Sequence, residues 1–334
     1  MAAGHACDAG RFGFFPLTPA APASTHIGPM KIQLLSDLHL EVHPDWVASP
    51  APGADLLVLA GDIGSYQPGS QLVQRSDFDF GLARFSPKRG WPTPVLFVPG
   101  NHEYDGMDFD GAHARLFETC ARLGITWLER EVMVWPGLRQ QSGPTPVCPA
   151  APSAVRFVGT TLWSDFDALG PLQNSALMAA NTSTHTKATA DSALTQQLKA
   201  RDKAFRAANY YLRKTGTTRH GLPMLAEAVR EQALVCQDWL AKTLAEPFDG
   251  TTVVVTHFAP SLLSADPRYG HSPGTAGFCN ALDELLPHAQ LWLHGHLHAP
   301  SNYVQCGCRV RANPLGYARK REQSAFEAAL CIEL

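Results

Sequence analysis

Six short apolar runs, continuous rather than alternating, constrain this 334-residue chain more than any other feature. They are Lys31–Ser36, Asp55–Ala60, Pro94–Pro99, Val155–Thr160, Thr251–Thr256 and Gln290–Leu293. A strand with one solvated face alternates apolar and polar residues, whereas a run that is apolar throughout is buried on both faces. Each run leads directly into residues able to do chemistry: Asp37 and His39, Gly61 and Asp62, Gly100 to His102, Trp163 and Asp165, His257, and His294. Layered α/β proteins carry their sites at the C-terminal ends of such strands, so the pattern predicts an α/β fold with a site built from strand tips.

Between the runs the period becomes helical. Leu198, Phe205, Ala208 and Leu212 line one face of a segment whose other face carries Lys199, Asp202, Lys203 and Arg206. Pro223 is expected to open a second helix, with Leu225, Val229, Gln232, Cys236, Trp239 and Thr243 along one side and Trp239 in the core. Residues 139–196, rich in Pro, Ser and Thr around one strand, and the glycine-bearing stretch 262–280 read as loop insertions in a single domain spanning 30–334. Residues 1–29 are rich in Ala, Pro and Gly and lack periodicity. They also lack the basic start and unbroken apolar stretch of a secretory signal. They read as a disordered extension or as the product of a start codon placed too early, with Met30 the natural domain start.

Five blocks follow the runs in order: D-L-H at Asp37–His39, G-D at Gly61–Asp62, G-N-H-E at Gly100–Glu103, a lone His257, and G-H-L-H at Gly295–His298. Singly, D-x-H or G-D means little; the ordered set is specific. Two divalent ions a few ångströms apart repel each other, so a site for them needs anionic oxygens and a bridging carboxylate. Neutral imidazoles complete the coordination without adding charge that would repel a phosphate. Asp37, Asp62, Asn101 and four histidines form that inventory, and the absence of cysteine argues against a closed structural zinc site.

The five blocks resemble the signature of the calcineurin-like metallophosphoesterase superfamily over roughly residues 32–300. The resemblance implies a four-layer α/β/β/α sandwich and a dinuclear centre. One metal would take Asp37, His39 and His298, the other Asn101, His257 and His296, and Asp62 would bridge them. His102 would protonate the leaving group or steady the phosphoryl oxygens while a metal-bridging hydroxide attacks phosphorus in line. The cofactors implied are two divalent ions, Mn²⁺ foremost, with Fe, Zn²⁺ or Mg²⁺ as alternatives. The protein Ser/Thr phosphatase branch carries G-D-x-x-D-R-G, whose Asp supports the catalytic His and whose Arg grips phosphate. Here the block reads GDIGSYQ, with Ser65 and Tyr66 in those places, which argues against that branch. The phosphate-gripping group is left open, with Arg268 a candidate by its place after His257.

Other residues carry weaker signals. His294 closes a run and is expected to pack or to bond behind the ligands; Glu103 is expected to orient its loop. His271 reads as an exposed loop histidine or a flap residue, and His43 and His185 as surface histidines. Tyr104, Trp163, Tyr269 and Phe278 follow motif loops and either wall a pocket or pack. Cys306 and Cys308 form a C-x-C pair with no second pair near it and read as structural thiols.

Bulk properties remove several classes. A net charge of -3 provides no broad basic field, so nucleic-acid binding is not indicated, and no apolar run is long enough to span a bilayer. Eight cysteines without framework spacing read as reduced thiols of a cytoplasmic protein. The expected activity is hydrolysis of a phosphomonoester or phosphodiester in a small molecule, with nucleotides as candidates. A nuclease of the same superfamily is the alternative; it would need a capping domain and heptad-rich arm that this chain does not supply. A catalytically silent scaffold fits less well, because every expected ligand is present.

Overall fold

The computed structural model describes residues 29–74, 78–135, 154–171 and 187–334. The expectations for residues 1–28, for His185 and for most of the 139–186 stretch lie outside the described residues. Thirteen strands occur among the described residues: β1 Lys31–Leu35, β2 Leu56–Ala60, β3 Val95–Val98, β4 Thr126–Trp127, β5 Glu131–Trp135, β6 Ala154–Thr160, β7 Thr218–Arg219, β8 Leu222–Pro223, β9 Gly250–Thr256, β10 Leu291–His294, β11 Ser301–Gln305, β12 Cys308–Ala312 and β13 Cys331–Glu333. Three α-helices accompany them: α1 Phe109–Leu123, α2 Lys187–Thr215 and α3 Ala226–Ala245.

Two sheets carry the fold. One runs β13-β1-β2-β3-β4, with β1 to β4 parallel and β13 antiparallel at the edge; the other runs β11-β12-β10-β9-β6-β5, with β6, β9, β10 and β12 parallel. Alternation along each strand explains why the apolar runs are continuous. Ile32, Leu34, Leu56, Val58, Leu96 and Val98 of the first sheet share one buried cluster with Phe157, Val253, Val255, Leu291 and Leu293 of the second. The intervening residues, Leu35, Leu59 and Phe97 on one sheet and Val158, Val254 and Trp292 on the other, belong instead to the core that includes the helices. Helix α1 packs on β4, and α3 on β6. Each central strand is thus buried on both faces, and a Leu→Ala change at Leu34 or Leu293 would cost about 2–5 kcal/mol. The α/β class implied by the resemblance holds.

All six predicted strands form. Helix α1 is absent from the sequence expectations, although Phe109, Ala112, Leu116, Cys120 and Leu123 are spaced for one buried face, Asp108 caps its start through Gly111 N–H and left-handed Gly124 ends it. Two helical expectations need correction. Pro223 does not open a helix: it pairs with Thr218 in the β7–β8 hairpin, and α3 starts at Ala226. Val229, Cys236 and Thr243 are buried and Trp239 packs half-buried against the core as expected, with Ala233 and Leu240 on that face in place of Gln232. Leu198 is half exposed; α2 buries Ala204 fully, and residues 187–196 are helical, not loop.

Candidate metal centre

Every predicted ligand lies just beyond the C-terminal end of a parallel strand: Asp37 and His39 after β1, Asp62 after β2, Asn101 after β3, His257 after β9, and His296 and His298 after β10. Backbone bonds carry the loops on side by side, with Asp37 N–H donating to Gly61 O and His39 N–H to Asp62 O in the first sheet, and Gly295 N–H to His257 O in the second. Five of the seven predicted ligands, Asp37, His39, Asp62, His296 and His298, have φ between 46° and 72°. Non-glycine residues rarely adopt this conformation, and it persists only where the surroundings impose it, typically at functional sites. Two glycines are fixed by close approach. A Cβ on Gly100 would collide with the Asp62 carboxylate, and one on Gly295 would sit 2.6 Å from Asp37 Oδ2.

The ligands fall into two groups joined by one residue. Donor atoms of Asp37, His39, Asp62 and His298 lie within 4.8 Å of one another, as do those of Asp62, His257 and His296. Asn101 joins the second group, its Oδ1 3.2 Å from His257 Nε2. His39 Nε2 and His298 Nε2 converge to 2.9 Å. Two buried polar atoms at the junction make no hydrogen bond: Asp62 Oδ2, although 3.2 Å from His257 Nε2, and His296 Nε2. Buried polar groups without partners are expensive. A buried carboxylate oxygen and a buried imidazole nitrogen, each without a hydrogen bond, fit divalent-cation binding, as does this set of oxygen and nitrogen donors.

Behind the ligands the two groups differ. The Nδ1 atoms of His39 and His298 face carboxylates, Glu41 Oε1 at 2.9 Å and Glu322 Oε2 at 2.7 Å. The Nδ1 of His257 instead donates to Ala60 O at 2.8 Å, and His296 is flanked by the Phe258 and Phe278 rings at 3.9 and 5.1 Å. Neither Glu41 nor Glu322 was singled out in the sequence. The E in D-L-H-L-E, two residues past His39, is a local signal for the first; nothing local marks Glu322, 24 residues from its histidine. Glu103 behaves as expected: its buried carboxylate accepts from Asp62, Ile63 and Gly100 N–H groups at 3.1, 2.6 and 2.8 Å, tying two ligand loops together.

His102 stands apart from the ligands. Its side chain is 25% exposed against 0% for His257 and His39, and its Nδ1 lies 2.5 Å from the buried Asp105 Oδ2. Asp105 backs His102, while Ser65 and Tyr66 occupy the places of the Asp and Arg in the protein-phosphatase pattern. Asp105 lies three residues on, across a 3-10 turn from His102 to Tyr104. Ser65 instead donates its N–H to Glu41, and Tyr66 accepts from Phe80 N–H.

Charge within the site is strongly coupled. Burial opposes the ionised form of Asp62, but His257 and His102 beside it hold its pKa well below the usual carboxylate range. Burial likewise opposes charge on His257 and His298, yet Asp62 raises His257 to about 9 and Asp37 with Glu322 raises His298 to about 9. His102 is raised well above its ordinary value, Asp105 and Asp62 overcoming burial. His296 is pushed well below by burial and by His257. Protons on His257 and His298 thus balance the carboxylates where no cation is bound.

The remaining candidates separate clearly. His294 is buried and bonded to Ser264 Oγ at 2.9 Å, off the ligand groups as expected. His43 is not a free surface histidine: it is half-buried, with Nε2 3.0 Å from Gly316 O. His271 is an exposed loop residue and Tyr269 is exposed. Tyr104 and Trp163 pack in the core with Phe109, whereas Phe278 is half exposed beside His296. Arg268 is engaged by Asp266 at 2.6 and 2.9 Å. Asp165 is buried and accepts from Gln237 and from Asp167 N–H. Cys308 is buried and Cys306 exposed at the β11–β12 turn.

Known proteins resemble this chain in sequence and fold. An uncharacterised protein, L509, of Acanthamoeba polyphaga mimivirus is 22% identical over 318 residues, covering 87% of this chain and 92% of its own. The crystal structure of a phosphopantetheinyl hydrolase from Mycobacterium tuberculosis superposes with a TM-score of 0.55 at 17% identity, covering 92% of this chain and 96% of that one, which establishes a shared fold. The family model described as calcineurin-like phosphoesterase matches residues 30–179, which include Asp37, His39, Asp62, Asn101 and His102. With its ordered blocks at these strand tips, the chain resembles the calcineurin-like phosphoesterases over that stretch.

Proposed function

We propose that the chain is a metal-dependent hydrolase of phosphomonoesters or phosphodiesters in small molecules, working as a single domain over residues 30–334. The observation that carries this reading is the Asp62 junction, where two ligand groups share one carboxylate and leave Asp62 Oδ2 and His296 Nε2 without partners. Asp37, His39 and His298 would hold one divalent ion, Asn101, His257 and His296 the second, and Asp62 both. When bound, the ions polarise the phosphoryl oxygens and acidify the attacking water. His102, a quarter exposed and backed by Asp105, protonates the leaving oxygen; the Asp105 carboxylate keeps it in the cationic form an acid needs at neutral pH. The Phe258 and Phe278 rings keep water from one side of His296. The carboxylate and imidazole donors suit Mn²⁺ first, and thiols without framework spacing support a cytoplasmic enzyme.

The test is a panel of phosphate esters, nucleotides included, assayed with metal-stripped protein given Mn²⁺, Zn²⁺, Fe²⁺ or Mg²⁺. Turnover restored by one of these ions, with two ions per chain by elemental analysis, supports the reading. Turnover equal in stripped and loaded protein rejects it.

A further inference from the structure

The site so far offers a reacting phosphate no protein cation except histidine. Positive charge without a strong acidic partner lies in the segment Tyr317-Ala318-Arg319-Lys320-Arg321, which the five motif blocks do not include. Its Tyr317 ring stacks on the His39 imidazole, 4.3 Å between centroids at 25°, and meets His298 edge-on at 5.1 Å. The segment is anchored there. Gly316 N–H donates to Asp37 O, Tyr317 N–H donates to Glu322 Oε2, and that same oxygen faces His298. Arg319 Cζ and Lys320 Nζ lie over the Tyr317 ring at 5.3 and 5.0 Å, within cation–π range.

These cations are exposed, and their usual partners are missing. Arg319 and Arg321 have no acidic partner among the described residues, and Lys320 has only Glu322 at 3.8 Å, a carboxylate already engaged by His298 and Tyr317. Through the Tyr317 ring, Arg319 and Lys320 adjoin the His39 and His298 imidazoles. Resting on the reading above, we infer that the Arg319–Lys320–Arg321 turn is an anion subsite, and that the favoured substrates are phosphate esters carrying a second phosphate or carboxylate beyond the scissile one. Arginine suits this role because its planar fork binds two phosphate or carboxylate oxygens at once.

The experiment compares adenosine 5′-monophosphate with adenosine 3′,5′-bisphosphate on the wild type and on Arg319→Ala/Lys320→Ala, with metal content measured on every sample. The wild type should favour the bisphosphate, and the preference should weaken as salt rises. The double variant should raise KM for the bisphosphate by about 10–100-fold, the worth of charge-assisted contacts, with kcat/KM for the monophosphate within about twofold. Arg319→Lys/Lys320→Arg should restore most of the preference. Equal losses on both nucleotides would overturn the subsite, as would loss of bound metal, which would make the turn a support for the centre. If neither nucleotide is turned over, calorimetric binding of both separates the two ideas. A bisphosphate preference that disappears in the double variant upholds the subsite while hydrolysis fails; the absence of any preference in the wild type removes the subsite on its own.

Discussion

The two halves of the centre are built to the same plan from the same strand tips, but they are backed differently. Around His39 and His298 the second line of contacts is anionic: Glu41 and Glu322 face the two Nδ1 atoms. Around His257 and His296 it is neutral, a main-chain carbonyl on one side and aromatic rings on the other. Carboxylates behind an imidazole raise its basicity and fix its orientation, and such partners contribute about 10–100-fold in metal affinity. On the proposed two-ion reading, the first half should be the tighter cation site and the second the more readily exchanged. Asp62, common to both, couples them.

The largest effect should come from breaking that coupling. Asp62→Asn removes the charge the two groups share and should abolish turnover together with the second ion, as read by elemental analysis after dialysis. Two tightly held ions and normal turnover in this variant would refute the bridging role. Next in size is His102→Ala, which should keep both ions while kcat falls by ~10²–10⁴. The loss should be smaller for esters of p-nitrophenol, which leaves without a proton. Asp105→Asn should act through the same proton. Without that carboxylate the His102 pKa falls, so activity should suffer more at pH 8 than at pH 6. A deficit that is flat with pH would make Asp105 a purely structural support.

The predicted ligands were legible in the sequence because all but His298 follow an apolar run within three residues, and His298 follows within five. Asp62 and His257 carried weight only as members of the ordered set of blocks. What was illegible depends on return of the chain from afar. Glu322 reaches His298, and Gly316 bonds to Asp37, only because the segment after β12 folds back across β1 before β13 pairs with it. Asp105 was obscured for another reason: no motif block includes it, and a 3-10 turn brings its carboxylate to the His102 imidazole. Helix α3 was misplaced because Pro223 carries a helix-start signal that a two-residue pairing with Thr218 overrides. The large φ values of five ligands had no signature at all, since Asp and His adopt that conformation only under contacts made elsewhere.

Glu322→Gln probes the difference between the halves at a smaller scale. Glutamine keeps an acceptor for the His298 Nδ1 proton and removes the charge. The tighter ion should weaken by about 10–100-fold in competition with a chelator, and the weaker ion should change little. Asn101→Asp makes the converse change, adding charge to the second half, and should bring the two affinities closer. If Glu322→Gln released the weaker ion first, the assignment of the anionic half as the tight one would be reversed.

The smallest effect is in proton bookkeeping, and it distinguishes individual histidines. Below about pH 9 the cation-free site keeps protons on His257 and His298, one in each half, whereas burial already holds His296 neutral. A divalent ion needs the unprotonated imidazole, so each binding event must release about one proton between pH 7 and 9. The sign follows: lowering the pH favours the protonated histidine and weakens the ion, by about tenfold per pH unit for one proton. Calorimetric titration of Mn²⁺ in buffers of different ionisation enthalpy counts those protons directly. Each ion should release about one proton near pH 7, and the count should fall toward zero above pH 9. His296→Gln should leave it unchanged, because that residue has no proton to give up. Release that stays near zero at pH 7 would mean that His257 and His298 are already neutral in the cation-free protein, and that Asp62 and Asp37 do not hold charge as close to them as the 3.2 and 3.5 Å separations imply.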